Sequence, residues 1–172
     1  REVDLAVASI DLAGAELALA ALIGRERSLE KALVEVRDRY DFILIDCPPS
    51  LGHLTIQALV AATGVLVPLQ CEYFALEGVS ELLSTIRRVT SALNPALELA
   101  GIVLTMYDDR MKLTRDVERE VREHFPGKVF EAVVPRNVRL AEAPSYGLPI
   151  LQYDIKSRGA EAYLAVAREL LR

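Results

Sequence analysis

An unbroken apolar run precedes a carboxylate and a proline-rich turn in the segment Phe42-Ile43-Leu44-Ile45-Asp46-Cys47-Pro48-Pro49-Ser50. The apolar residues do not alternate with polar ones, which is the pattern of a strand buried on both faces of a parallel sheet. In such sheets, ligands bind outside the carboxyl ends of the strands. Asp46, the first residue after the run, is therefore the first candidate functional side chain.

The sequence on either side of this segment alternates helical periodicity with further short apolar runs. Residues 5–8 form a short apolar run, and we expect additional strands at 65–67, 102–104 and 129–134. Apolar residues recur at helical spacing in 29–40, 54–62, 76–93, 112–124 and 160–171. Helices that alternate with doubly buried strands predict an α/β fold, in which a mostly parallel sheet carries helices on both faces.

The chain has 172 residues, of which 52% are apolar, and this is enough for one sizeable core but not for two. We therefore expect residues 1–172 to belong to a single domain. The charge-free stretch between Asp46 and Glu72 is interrupted by prolines and glycines, which favours protein core over a membrane helix. Cys47 and Cys71 fit neither a disulfide framework nor zinc spacing, so we expect a reduced, cytoplasmic location.

The formal net charge of −5 argues against a surface that coats nucleic acid by bulk electrostatics. Residues 107–172 hold 12 basic and 11 acidic residues, whereas residues 1–106 hold 8 basic and 14 acidic ones. Any contact with DNA must therefore be a local patch, and the second part of the chain is where an anionic partner is sought. Lys112, Arg115, Arg119 and Arg122 form a basic stripe on the predicted helix 112–124. We interpret this stripe as a solvated face with intrahelical ion pairs, such as Lys112–Asp116 and Arg119–Glu123.

Five ordered segments closely resemble the ParA/Soj family of chromosome- and plasmid-partition ATPases, which carry a deviant Walker A P-loop: 40–52, 70–78, 104–108, 134–145 and 153–161. The first of them resembles the family's Walker B strand and the switch segment that follows it. A carboxylate at the end of such a strand can orient magnesium and its bound water beside nucleotide phosphates. The resemblance runs from about Leu12 to the end of the chain and implies a P-loop NTPase-like fold.

This resemblance assigns roles to five residues. Asp46 would be the catalytic Walker B carboxylate and would hold Mg²⁺, through water. Pro135 and Asn137 fall in the loop that passes near the adenine of ATP in this family. Arg110 and Arg139 match positions at which surface arginines contribute to DNA binding by the family's dimer.

The function that the resemblance implies is ATP-dependent partition of DNA. In this family ATP closes a sandwich homodimer that binds DNA without sequence preference. A ParB-like centromere-binding protein then stimulates hydrolysis and release. The implied cofactors are ATP and Mg²⁺, and the implied location is the nucleoid in the cytoplasm, without membrane attachment.

The chain departs from the family pattern at the phosphate-binding loop. No Gly-Lys-Ser or Gly-Lys-Thr sequence occurs among these residues, and the family's first strand and loop lie upstream of the matching region. Backbone N–H groups and a lysine on the β- and γ-phosphates supply most of the electrostatic stabilisation for phosphoryl transfer. We therefore expect residues 1–172 to be the C-terminal portion of an N-terminally truncated ATPase domain and to be inactive alone.

Two other functions remain open. A non-catalytic ParA-like interaction or dimerisation module would keep the fold after losing the nucleotide site. A MinD-like cell-division positioning ATPase would carry a basic amphipathic tail after the last helix, whereas residues 168–172 have mixed charges.

Overall fold

The computed structural model describes residues 3–9, 12, 14, 19, 23–48, 50–73 and 75–171. The chain divides into two compact units. The first contains residues 1–63 and 85–97, and the second contains residues 64–84 and 98–172. That residues 1–172 form one domain stays a prediction.

A parallel pair of strands lies at the centre of the second unit. Strand β1, Gly64–Gln70, pairs with strand β2, Glu98–Thr105, and the register slips between Val65 and Leu66. The predicted strands at 65–67 and 102–104 are therefore confirmed. Segment 129–135 lies along the other side of β2, and isolated parallel bridges join Ile102 to Val129 and Tyr107, just beyond β2, to Pro135. The predicted strand at 129–134 is thus an irregular edge, in which Val134 N donates to Leu104 O at 2.8 Å.

The described residues include seven α-helices with assigned bounds: α1 Ser28–Leu33, α2 His53–Ala61, α3 Ala75–Ala92, α4 Lys112–His124, α5 Val138–Glu142, α6 Ile150–Tyr153 and α7 Arg158–Leu170. Short 3₁₀ turns occupy Arg25–Arg27, Arg37–Arg39 and Ala143–Tyr146. The predicted helices at 54–62, 76–93, 112–124 and 160–171 are confirmed. The predicted helix at 29–40 is too long, because α1 ends at Leu33 and the next residue, Val34, is 57% exposed. Without a buried apolar face, little packing energy is available to extend a short helix.

Helices cover both faces of the β1–β2 sheet. One face packs against α3 and α4, and its core contains Val67, Leu69, Val79, Ile102, Leu104, Val117 and Val121. The opposite face packs against α7, and its core contains Leu66, Val103, Phe130, Val134 and Val166. Because successive strand residues point to opposite faces, two buried faces require apolar runs without alternation. The predicted α/β fold with a parallel sheet and helices on both faces is confirmed.

In the first unit, a side-chain cap joins helix α2 to the chain that follows α3. Asn94 Nδ2 donates to the carbonyl oxygens of Leu59, Val60 and Ala62 at 3.0, 3.1 and 2.8 Å. The last carbonyls of a helix lack intrahelical partners, so this amide satisfies groups that α2 leaves open. Asn94 also stands just beyond the end of α3, where the sequence predicts a helix stop.

The predicted strand at 42–45 is wrong for this structure. The segment does not pair with a described strand. Phe42 and Leu44 are 58% and 83% exposed. A parallel strand needs neighbours that complete its ladder of N–H and C=O groups, so apolar composition alone does not form one. Nowhere in the described part of the chain is a helix both long and apolar enough to cross a membrane.

Candidate functional site

Two loops meet where β2 ends in the second unit. Residues 106–111 follow β2 directly, and residues 135–137 lie at the end of the segment beside β2. Tyr107 N donates to Val134 O at 3.1 Å, and Arg136 N donates to Tyr107 O at 3.1 Å. Met106, the first residue after β2, has a left-handed φ of 51°, so the backbone turns where the strand ends. We name residues 106–111 and 134–139 the β2 edge.

Arg110, a predicted DNA-binding residue, forms a two-point ion pair at the β2 edge. Its Nε donates to Asp108 Oδ1 at 2.8 Å and its Nη2 to Asp108 Oδ2 at 2.7 Å. The backbone N of Arg110 also donates to Asp108 Oδ1, at 3.1 Å. These hydrogen bonds, side chain first, lower the pKa of Asp108 to about 2. The Arg110 side chain remains 84% exposed, so it is available to a ligand in solution.

Arg136 is a residue of this site to which the sequence analysis gave no role. Its side chain is exposed, and its positive charge contributes to the lowered pKa of Asp108. The β2 edge therefore contains a second guanidinium, that of Arg136, whose positive charge acts on Asp108. The available signal was its position directly after Pro135, at the end of a segment predicted to lie in the sheet.

Pro135 and Asn137, predicted to lie near adenine, occupy different environments. Pro135 bridges to Tyr107 and lines an open cleft of about 330 Å³. The other residues that line this cleft are Tyr107, Asp109, Val133, Arg158, Glu161 and Ala162. Asn137 is the N-cap of α5, since its Oδ1 accepts a hydrogen bond from Arg139 N at 2.8 Å. The structure thus shows a capping role for Asn137, and the adenine contact stays a prediction.

Arg139, the second predicted DNA-binding residue, is also ion-paired. Its Nη1 donates to Glu142 Oε2 at 2.9 Å, and its Nε lies 3.6 Å from Asp154 Oδ2. Tyr153 donates its hydroxyl to the same Glu142 oxygen at 3.1 Å. The hydrogen bond to Glu142 and its negative charge raise the pKa of Arg139. A single carboxylate therefore joins α5 to the end of α6.

The basic stripe on α4 forms ion pairs with partners other than those expected. Arg119 pairs with Asp116 at 2.9 Å, and Arg122 pairs with Glu118 at 2.9 Å. Tyr107 donates its hydroxyl to Glu118, and this hydrogen bond is the main reason that the pKa of Tyr107 rises to about 12. Arg122 and Tyr107 share this carboxylate, so α4 is tied to the β2 edge by side-chain hydrogen bonds.

Asp46 belongs to the first unit, separately from the other four predicted residues. It is exposed and follows segment 42–45, which pairs with no strand among the described residues. Among the residues that the structure describes, no three His, Cys, Asp or Glu side chains are grouped to hold a metal ion. These residues supply one candidate Mg²⁺ ligand and no lysine-bearing phosphate loop. They do not by themselves fit a complete nucleotide–magnesium site.

Comparison with known sequences finds a matching family model and several similar proteins. Residues 1–99 match the model of the AAA domain family. The chain is similar to the chromosome-partitioning ATPase Soj of Treponema pallidum, with 56% identity over 95% of this chain and 65% of that protein. It is also similar to the chromosome partitioning protein ParA of Myxococcus xanthus, with 54% identity over 100% of this chain and 61% of that protein. The chain thus spans less than two thirds of the length of either relative.

Solved structures show the same fold. Cobyrinic acid a,c-diamide synthase from Mycobacterium smegmatis with bound ADP and magnesium aligns with a TM-score of 0.79 and 42% identity, over 96% of this chain and 60% of that one. The cell division ATPase MinD of Pyrococcus furiosus aligns with a TM-score of 0.68 and 26% identity, over 85% of this chain and 58% of that one. These likenesses agree with a P-loop NTPase-like arrangement of the sheet and helices.

Proposed function

Because the chain belongs to the AAA domain family and is a ParA/Soj-type protein within it, we propose that it functions in ATP-dependent partition of DNA. The ATP-bound form is a homodimer that binds DNA without sequence preference. A ParB-like partner stimulates hydrolysis and thereby releases the DNA. The partitioning roles in the names of the curated relatives support this proposal.

The observation that carries the proposal is the meeting of two family-like segments at the β2 edge. Segments 104–108 and 134–145 are far apart in sequence, yet the Tyr107–Val134 and Arg136–Tyr107 hydrogen bonds join them. These hydrogen bonds therefore place Arg110 and Pro135 in the same part of the second unit, the β2 edge. The ADP and magnesium bound to the Mycobacterium smegmatis relative support ATP and Mg²⁺ as the cofactors.

DNA binding requires a local patch because the net charge of the chain is −5. Arg110 and Arg139 provide guanidinium groups whose side chains are 84% and 54% exposed. Guanidinium groups bind phosphate oxygens through paired N–H donors and carry no sequence information in doing so. Both residues are therefore suited to binding without sequence preference.

DNA binding is tested with Arg110→Ala and Arg139→Ala in the longest reading frame that contains these residues, with ATP and Mg²⁺ present. Affinity for two unrelated fluorescent duplexes is measured across a salt series by anisotropy. We expect each variant to weaken binding equally for both duplexes and to reduce the salt slope by about 1. Arg88→Ala on α3 removes the same charge from an exposed position outside the β2 edge and is the control. An unchanged salt slope in both test variants contradicts the assignment.

Hydrolysis is tested separately at Asp46. We propose that Asp46 is the Walker B carboxylate that holds Mg²⁺ through water, and that Asp46→Asn abolishes phosphate release by the longest reading frame. Asp38→Asn makes the same change at a 95% exposed side chain and should leave the rate unchanged. Residues 1–172 alone should release no phosphate above background, and measurable release from them would overturn that part of the proposal.

Asp46 is exposed and belongs to no group of three or more metal-binding side chains among the described residues, which favours a second candidate, a non-catalytic ParA-like interaction or dimerisation module. ATP binding by the longest reading frame distinguishes the two, since only the partition ATPase requires it. A MinD-like positioning ATPase predicts ATP-dependent binding to anionic lipid vesicles. Such binding by the longest reading frame would favour the MinD-like alternative.

A further inference from the structure

Each proposed DNA-binding arginine is held by a carboxylate on its own segment. Asp108 contacts Arg110 at 2.7 and 2.8 Å, and Glu142 contacts Arg139 at 2.9 Å. Asp154 adds a second negative charge 3.6 Å from Arg139. Nearby carboxylates thus partly neutralise the positive charge of each guanidinium in the absence of DNA.

We propose that Asp108 and Glu142 restrain the DNA affinity of Arg110 and Arg139 by competing with DNA phosphates for the same N–H donors. This inference rests on the proposed DNA-binding function. The competition keeps non-specific binding weak enough for the protein to leave DNA readily. Asp108 and Glu142 are therefore positioning residues that act through the arginines.

The geometry of the Arg110 pair defines the competition. Asp108 accepts from both Nε and Nη2, so it occupies one of the two-donor edges with which a guanidinium binds phosphate side-on. A phosphate must displace the carboxylate from that edge or use the remaining donors. In either case the phosphate and the Asp108 carboxylate are like charges at close range, which weakens the contact.

Both carboxylates are anchored by contacts other than the arginine side chain. Asp108 Oδ1 accepts from the backbone N of Arg110 at 3.1 Å, and Glu142 accepts from Tyr153 at 3.1 Å. The Tyr153 ring in turn lies 5.0 Å from the ring of Tyr146, measured between centroids. These anchors keep the carboxylates beside the arginines, so that they do not swing freely into solvent.

Asp108→Asn and Glu142→Gln test the inference, because each retains an oxygen for the anchoring hydrogen bond while removing the charge. Binding of a random-sequence DNA duplex is measured in the longest reading frame with ATP and Mg²⁺. Exposed ion pairs have small energies, so we expect each variant to bind roughly two- to fivefold more tightly. The salt slope should become steeper by about 0.9, as one more phosphate is effectively neutralised.

A double-mutant cycle separates local competition from bulk charge. In the Arg110→Ala background, Asp108→Asn should give no gain, because the residue through which it acts is absent. Glu30→Gln is the matched control, since Glu30 is ion-paired with Arg27 at 2.8 Å in the first unit. A gain that persists without Arg110, or that Glu30→Gln reproduces, overturns the inference, as does unchanged or weaker binding by both test variants. Wild-type affinity in both Arg110→Ala and Arg139→Ala instead overturns the DNA-binding proposal.

Discussion

Arg122 Nη2 donates a hydrogen bond to the backbone oxygen of Phe130 at 3.1 Å, and this contact ties helix α4 to the segment beside β2. The same guanidinium pairs through Nε with Glu118 at 2.9 Å. Its side chain is 29% exposed, whereas that of Arg119 is 68% exposed. Two arginines of the same basic stripe therefore have different surroundings. Arg119 is a surface charge, whereas Arg122 also holds α4 against the segment beside β2.

We expect Arg122→Ala to lower the free energy of unfolding by about 1–3 kcal/mol, because it leaves the Phe130 carbonyl and Glu118 without a charged donor. Arg119→Ala removes the same charge from an exposed ion pair and should change stability by less than about 0.5 kcal/mol. Urea unfolding of both variants measures the difference. Equal stability losses would show that the Phe130 contact contributes nothing of its own.

The Asp108–Arg110 pair predicts an unusual titration. Arg110 lowers the pKa of Asp108 from 3.8 to about 2, so the folded state favours the ionised carboxylate. The pair therefore contributes fully above pH 4 and is lost as the pH falls towards 2. Carbon-13 NMR of the side-chain carboxyl should show Asp108 largely ionised at pH 3. In Arg110→Ala the titration midpoint should move up towards the ordinary value, and a wild-type midpoint near 4 would contradict the hydrogen-bond geometry.

Gly101 in strand β2 is predicted to tolerate no side chain. A Cβ at this position would overlap the ring of Phe130, and the ring is held in the core on the α7 side of the sheet. We expect Gly101→Ala to destabilise the fold by about 1–3 kcal/mol through overpacking. Gly78→Ala in α3 meets no atom within 4 Å and should instead stabilise by up to about 1 kcal/mol. Thermal unfolding of the two variants should therefore shift in opposite directions.

The Asn94 cap predicts a graded response to substitution in the first unit. Asn94→Ala removes the donor to the Leu59, Val60 and Ala62 carbonyls and should cost about 1–3 kcal/mol. Asn94→Asp should cost more, because it places a negative charge against the same three oxygens. Hydrogen exchange at the end of α2 would report the local loss. An aspartate variant as stable as wild type would show that these hydrogen bonds do not support the helix.

Most of the elements could be predicted from local sequence patterns. Helices α2, α3, α4 and α7 and the two strands follow from apolar spacing, which is a property of neighbouring residues. The ParA/Soj resemblance drawn from five ordered segments is confirmed by relatives that are 54% and 56% identical. The roles of Asp46, Pro135, Asn137, Arg110 and Arg139 stay predictions.

The sequence by itself determined the α/β class, the family and the positions of most helices, since periodicity and motif order are written along the chain. Only the tertiary structure decided which groups meet. It left 42–45 without a neighbouring strand among the described residues, placed Asn94 on the end of α2, and joined Arg122 of α4 to the Phe130 carbonyl. Ladder pairing, capping across elements and side-chain contacts between elements depend on distances between segments, and no local pattern specifies those distances.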